Sequence, residues 1–326
     1  MTFKFYMHYF SRLYIFFPIL SLIIFFFSTI ELKAKSFEIN NIEISKQFEN
    51  NFDKNNVIDS GFKKAFMELT YLLTKSSDHN KLASVKLNEI KGMIETFSIQ
   101  EEKFINQVYF LTLGVSFNKG KIFDYLKKRN IYPSQIKKEK FLFIPIIIEE
   151  NINELRVFSN NPIYKNWNLN TQNYELINYL LPSEDLEDLN LIKKNLDVIE
   201  TYDFSEITKK YFLSNFIISL IYINNNETKV LSKMYNKKNE IIKNNSFKNL
   251  DLNNQKDIVF LTNELKNLFE DTWKKINEIN TSIKLSIIIK IKNNNLVKSS
   301  QFEHDLDEID LVNDYSIQKY VYCFLK

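Results

Sequence analysis

Glycine and cysteine are nearly missing from this chain. Its 326 residues include only four glycines, Gly61, Gly92, Gly114 and Gly120. No two of them are spaced to form the GxGxxG or GxxxxGK[ST] loops that cradle phosphate groups, so nucleotide binding by those loops is excluded. The single cysteine, Cys323, excludes an intrachain disulfide. A chain of this length can bury a core large enough to fold without one.

Histidine is also scarce, and the charges nearly balance. The three histidines, His8, His79 and His304, lie far apart in the sequence. None belongs to a CxxC, HExxH or similar pattern, so we expect no zinc site, and no cofactor of another kind is indicated. A formal net charge of +3 is too small for a protein that binds nucleic acid mainly by neutralising phosphates. We therefore expect no nucleic-acid partner.

The first 34 residues have the composition of an export signal. Lys4 and Arg12 precede an apolar stretch at 13–30, and the small residue Ala34 offers a cleavage point. The alternative is an uncleaved membrane anchor, because the apolar stretch approaches the span of a bilayer. Both interpretations keep the positive charges inside and export the rest of the chain. We therefore expect a periplasmic protein, with membrane contact through residues 13–30 if the leader is not cleaved.

Two apolar runs in the middle of the chain, 141–149 (FLFIPIIIE) and 216–223 (FIISLIYI), are predicted to be buried strands. Each is rich in β-branched residues and too short to span a membrane. Because the apolar residues are continuous rather than alternating, both faces should be covered, as in a sheet packed under helices. The predicted fold class is α/β (α+β), with two to three small mixed-sheet domains behind the leader.

The order of apolar patterns divides the chain into three regions. We place an N-terminal α/β domain at 37–133, a middle α/β domain at 138–250, and a C-terminal helix with a β-α-β layer at 254–326. In the first region we predict a strand at 37–44 with a slip at Asn40-Asn41, helices at 58–73 and 87–97, antiparallel strands at 98–104 and 109–117, and a helix capped by Asn118. In the middle region we predict a helix at 204–212 and strands at 228–235 and 240–247. In the last region we predict a helix at 258–279, a strand at 283–291, a helix at 302–309 and a strand at 315–325.

An acidic run, 183–188 (SEDLED), follows Pro182. Its carboxylates could hold a divalent metal or act as acid and base. They could also mark a helix start, with proline at the entrance and acids in the first turn, where the helix dipole is positive. We favour the helix start, because no histidine or further acid lies at ligand spacing. The candidate binding surface consists of Trp167, Pro182, Asp185, Glu187 and Asp188.

The order Asn161-Pro162, Trp167, Leu181-Pro182 and Asp185-Leu186-Glu187-Asp188 resembles a signature of the proteobacterial exported family numbered 2066 among the domains of unknown function. The segments GFKKAFMELTYLLT and LGVSFN are similar to that family too, and the first region resembles the small α/β modules at the start of envelope proteins such as the flagellar-assembly T protein. The chain departs from the family at Ile163, where an aromatic residue is usual, and at Ser183-Glu184, which replaces a small, glycine-containing pair. The resemblance covers most of the chain after the leader. It implies a periplasmic, non-enzymatic protein and supplies no catalytic residues.

Three functions are compatible with these observations. We expect an envelope-associated binding or assembly module that contacts other envelope proteins, because an export signal and packed domains are present and no catalytic constellation is. One alternative is a metal-dependent periplasmic hydrolase that uses the acids at 184–188. Another is a small-ligand receptor that uses Trp167 and the strand ends around Pro182, since ligands bind at the carboxyl ends of sheet strands.

Overall fold

The computed structural model describes residues 36–152, 154–169, 171–224, 227–237, 239–280, 287–290 and 296–308. The predicted leader and the predicted strand at 315–325 lie outside these ranges. Within them, no helix is long and apolar enough to cross a membrane. The chain is a mixed α/β protein with two sheets, which confirms the predicted fold class.

The first sheet contains three antiparallel strands in the order β1-β3-β2. Its strands are β1 (Ser36–Gln47), β2 (Ile94–Ile105) and β3 (Val108–Asn118). The register of β1 against β3 shifts between Ile39 and Ile42, and Asn41 has a φ of 60°. The slip predicted at Asn40-Asn41 is therefore confirmed as a β-bulge. The antiparallel pairing predicted for the segments at 98–104 and 109–117 is confirmed as well.

Helices cover one face of this sheet. They are α1 (Lys54–Leu73), α2 (Ser76–Leu82), α3 (Leu87–Met93) and α4 (Lys119–Lys127), and α4 is capped by the Asn118 side chain as predicted. The predicted apolar stripe of α1 is buried against β1 and β3. The helix comes so close that a Cβ atom at Gly61 would lie 2.4 Å from Leu113 Cδ1. Gly61 thus sets the distance between α1 and the sheet.

The helix predicted at 87–97 is too long. Residues 87–93 are helical, but Ile94 begins β2 and Phe97 pairs with Val115 of β3. The apolar spacing of Leu87, Ile90, Ile94 and Phe97 fits one helical face, whereas pairing with β3 satisfies the backbone of the second half. The pairing with β3 therefore outweighs the helical spacing of these apolar residues.

The second sheet is mixed, as predicted. Its strand order is β5-β4-β7-β8-β9, and β6 also pairs with β4. β6 and β7 run parallel to β4, whereas β5, β8 and β9 are antiparallel to their neighbours. The strands are β4 (Glu139–Glu149), β5 (Glu154–Arg156), β6 (Ile177–Leu180), β7 (Asn215–Asn224), β8 (Glu227–Asn236) and β9 (Asn239–Lys248).

Both faces of β4 and β7 are covered, as their continuous apolar sequences predict. The helices on this sheet are α5 (Pro162–Asn166), α6 (Leu186–Lys194), α7 (Ser205–Lys209) and α8 (Gln255–Ile276). Phe141 and Phe143 point to the side that carries α8, whereas Leu142 and Ile144 point to the side that carries α6 and α7. The helix predicted at 204–212 is thus shorter than expected. Phe212, the last residue of the predicted helix, is exposed and has a φ of 53°.

The last described elements differ in part from the prediction. α8 ends at Ile276, and Ile279 donates its backbone N–H to the carbonyl oxygen of Pro133 at 2.7 Å instead of extending the helix. Of the strand predicted at 283–291, only 287–290 are described, and they have no regular secondary structure. The helix predicted at 302–309 begins earlier than expected, as α9 (Leu296–Glu308).

One buried apolar cluster runs through most of the described chain. It includes Phe37 and Phe66 of the first region, Phe143 of β4, and Leu265 and Trp273 of α8. α8 therefore packs on the mixed sheet, and the first region shares buried contacts with both. The division into 37–133, 138–250 and 254–326 stays a prediction.

Candidate functional site

Trp167 lies at the end of α5, inside the core. It is completely buried, and its ring lies 3.9 Å from that of Phe143 and 5.2 Å from that of Tyr179 between centroids. Its indole Nε1 has no hydrogen-bond partner among the described protein atoms. With Thr262 and Lys266 it lines a cavity of about 10 Å³, which is the lower limit for one water molecule. Trp167 is therefore not part of an exposed binding surface.

Pro182 and the acids that follow it lie on the opposite side of the mixed sheet. Pro182 is buried, and its carbonyl oxygen accepts a hydrogen bond of 2.7 Å from the Tyr164 hydroxyl. Tyr164 packs in the core under α6 and α7, whereas Trp167 packs in the core under α8. The five residues proposed from the sequence are thus split between two layers, and they do not form one surface.

Asp185, Glu187 and Asp188, here called the carboxylate trio, surround the ammonium group of Lys210. Lys210 Nζ lies 2.6 Å from Asp188 Oδ1, 3.1 Å from Asp185 Oδ2 and 3.5 Å from Glu187 Oε2. The hydrogen bond to Lys210 and the backbone N–H of Glu187 lower the pKa of Asp185. The hydrogen bonds to Asp188 and Asp185 raise the pKa of Lys210, so the ammonium stays charged.

The trio begins helix α6, as we predicted from its position. Asp185 is the N-cap, and its carboxylate accepts the backbone N–H of Glu187 at 2.8 Å. Lys210 supplies the positive charge that a divalent ion would supply in a metal site. Among the residues that the structure describes, no group of three or more His, Cys, Asp or Glu side chains is arranged to hold a metal ion.

A second polar group lies under α8, and the sequence reasoning missed it. The Glu270 carboxylate accepts the backbone N–H of Leu176 at 3.0 Å and of Ile177 at 2.8 Å, at the start of β6. Burial raises the pKa of Glu270. Lys266 pairs with Glu175 at 3.2 Å, and both side chains are largely buried. A signal was available, because Lys266, Glu270 and Lys274 recur every four residues on the buried side of an amphipathic helix.

His79 extends this polar group to the first region. Its ring lies 4.5 Å from that of Tyr71, and its Nε2 is 3.3 Å from the carbonyl oxygen of Thr74. Burial and, secondarily, the Lys274 ammonium lower the pKa of His79. The Ser76 hydroxyl donates to Asp271 of α8 at 2.5 Å. These contacts join α2 to α8, so the group has a structural role at the junction of the two sheets.

The outer edge of β2 is accessible to solvent. Every residue of β2 after Ile94 is exposed, and none of the described strands pairs with this side of it. Phe97, Ile99 and Phe104, here called the apolar strip, are 48%, 41% and 58% exposed. Their partners in β3 include Val115, Leu113 and Tyr109, so the strip lies on the helix-covered face of the sheet, at the margin of the area that α1 covers.

Aromatic rings hold the two ends of the apolar strip in place. The Phe97 ring packs edge-on against Phe62 of α1 at 5.0 Å, and the Phe104 ring packs against Phe48 at 5.1 Å. The strand also carries three exposed carboxylates and one lysine: Glu95, Glu101, Glu102 and Lys103. Glu101 pairs with Lys103, and Glu102, which lies between Ile99 and Phe104 on the helix-covered face, pairs with Lys54. The edge therefore combines unpaired backbone groups, apolar side chains interrupted by one ion pair, and a small negative charge.

The residues behind the family resemblance have structural roles in this fold. Asn161 caps α5 by accepting the backbone N–H of Ile163 at 2.8 Å, and its amide donates to the Pro145 carbonyl oxygen at 3.0 Å. Trp167 ends the same helix in the core. No protein-family model matches the chain, and a search of curated proteins gives no match either.

Proposed function

We propose that this protein is a non-enzymatic binding module of the cell envelope, and that it docks an extended segment of a partner protein along β2. The export signal expected at the N-terminus and the resemblance to a periplasmic family support the location. The observation that carries the function is the β2 edge. It offers a 12-residue strand whose outward N–H and C=O groups are open to a partner strand.

The chemistry of the edge defines the partner. A strand added to β2 would place every second side chain on the apolar strip, where apolar residues are favoured. The remaining side chains would face the outer side, where Glu101 pairs in register with Thr112. Lys103 pairs with Glu101 on that side, and Lys54 pairs with Glu102 on the helix-covered side. The third carboxylate, Glu95, leaves the edge with a net negative charge, which favours basic partner residues over acidic ones. The partner is therefore an extended segment of alternating apolar and basic residues.

Two short peptides test the proposal. A nine-residue peptide of alternating isoleucine and lysine should bind the full chain with a Kd on the order of 10–100 µM. The matching isoleucine–glutamate peptide should bind at least about tenfold more weakly, and added salt should narrow the difference. Fluorescence anisotropy of labelled peptides measures both.

A variant pair locates the binding site. Ile99→Asp should abolish binding of the isoleucine–lysine peptide, because it places a charge in the middle of the apolar strip. Ile242→Asp is the matched control, since Ile242 is similarly exposed on another edge strand, β9. Equal binding of the two peptides, or equal losses in the two variants, would refute docking at β2.

A further inference from the structure

We infer that the strand that fills the β2 edge comes from a second copy of this chain, through residues 287–290. This inference rests on the proposed function and names the partner of the same surface. Each copy then carries both an acceptor edge and a donor segment.

The donor segment is conspicuously apolar. Ile287, Ile288 and Ile289 are 77%, 74% and 55% exposed, in a described stretch without regular secondary structure. Three consecutive isoleucines have a strong preference for extended structure in a sheet. A contiguous apolar surface of this kind marks an interaction site in a soluble protein.

The two elements are complementary in shape. In an extended donor, Ile287 and Ile289 point to one side, and Ile288 and Lys290 point to the other. When the isoleucine pair lies on the apolar strip, Lys290 comes to the outer side, which is also the side of Glu101. Glu101 is already paired with Lys103 on that side, so Lys290 would share this carboxylate with Lys103.

Charge also favours this donor over a second β2 strand. Two β2 edges would bring their excess carboxylates together, which is unfavourable across a strand pair. The donor side is basic, since the sequence between Asn280 and Phe302 contains four lysines (Lys284, Lys290, Lys292 and Lys298) and no acid. In the described structure, the isoleucines are exposed to solvent instead of covering β2 of their own chain. They are therefore available for contact with a second copy.

Such a contact joins two different surfaces. It closes into a dimer when two copies exchange donors reciprocally, and it otherwise extends into a chain of copies. Either arrangement predicts a mass that rises with protein concentration.

Sedimentation equilibrium of the purified full chain tests the inference. We expect association at about 10–100 µM. Ile287→Ser combined with Ile289→Ser should weaken it by at least about tenfold, since both changes remove buried apolar area. Ile242→Ser on β9 is the matched control and should leave the strength of association unchanged.

A charge exchange tests the pairing itself. Glu101→Lys and Lys290→Glu should each weaken association, and the double variant should recover it. A chain that stays monomeric, a control that weakens association equally, or a double variant without recovery would overturn the inference. If the isoleucine–lysine peptide still binds at β2 in that case, the proposed function stands, and only the assignment of the partner as a second copy of this chain is wrong. If neither peptide nor second copy binds, both fail.

Discussion

Replacing Gly61 by alanine should destabilise the protein, although alanine is the better helix former. The added Cβ would lie 2.4 Å from Leu113 Cδ1 and 2.9 Å from Ile44 Cδ1. Both atoms are the ends of flexible side chains, but Leu113 is completely buried, so it can move only by displacing its packed neighbours. Overpacking of this kind costs about 1–3 kcal/mol, and the gain in helix propensity offsets up to about 1 kcal/mol. We expect a net loss of about 1–2 kcal/mol.

Gly92→Ala is the matched control, and its effect should have the opposite sign. Gly92 lies in α3, and a Cβ there would have nothing within 4 Å. We expect a gain of up to about 1 kcal/mol. Urea unfolding followed by circular dichroism measures the free energy of unfolding of each variant.

A double-mutant cycle identifies the cause of the Gly61 effect. Leu113→Ala removes the atom nearest to the new methyl group, so Gly61→Ala should cost much less free energy of unfolding in that background, where the contact with Ile44 Cδ1 remains. The coupling energy should be about 1–2 kcal/mol. A loss from Gly61→Ala that is the same with and without Leu113 would refute the steric explanation.

Two further predictions concern the polar group under α8. Glu270→Ala should lower the free energy of unfolding by about 2–6 kcal/mol, because it leaves two buried backbone N–H groups without an acceptor. Glu270→Gln keeps an acceptor oxygen and should lower it less, and Glu264→Ala, at an exposed position, should change it little. Urea unfolding measures all three variants. His79 has a lowered pKa in the folded state, so as pH falls through 6.5 the unfolded state takes up the proton first and stability decreases. His79→Gln should flatten this decrease between about pH 7.5 and 5.5, and equal slopes for the variant and the unmodified chain would contradict the assignment.

Local patterns were sufficient for most elements of the fold. The bulge at Asn40-Asn41, the stripe of α1 and the buried strands β4 and β7 follow from the spacing of apolar residues, and the structure confirms them. The errors arise where a pattern fits two structures. Ile94 and Phe97 continue the helical period of α3, whereas Phe97 and Ile99 alternate with polar residues, and only pairing with β3 decides between helix and strand.

The candidate site was harder to predict, because it depends on contacts between distant parts of the chain. The sequence shows β2 as one strand of a pair, but its position at the edge depends on β3 lying between β1 and β2. Lys210 is 22 residues from Asp188 in sequence and is its ion-pair partner in the fold. Trp167 was interpreted as a binding platform, and the two-sided packing of β4 instead places it in the core.

The position of the two tryptophans has a practical consequence for spectroscopy. Trp167 and Trp273 are the chain's only tryptophans, and both are buried on the α8 side of the mixed sheet. Their emission therefore reports on that layer alone. Loss of α6 and α7 from the other side would leave the fluorescence spectrum nearly unchanged, and amide hydrogen exchange would be needed to detect it.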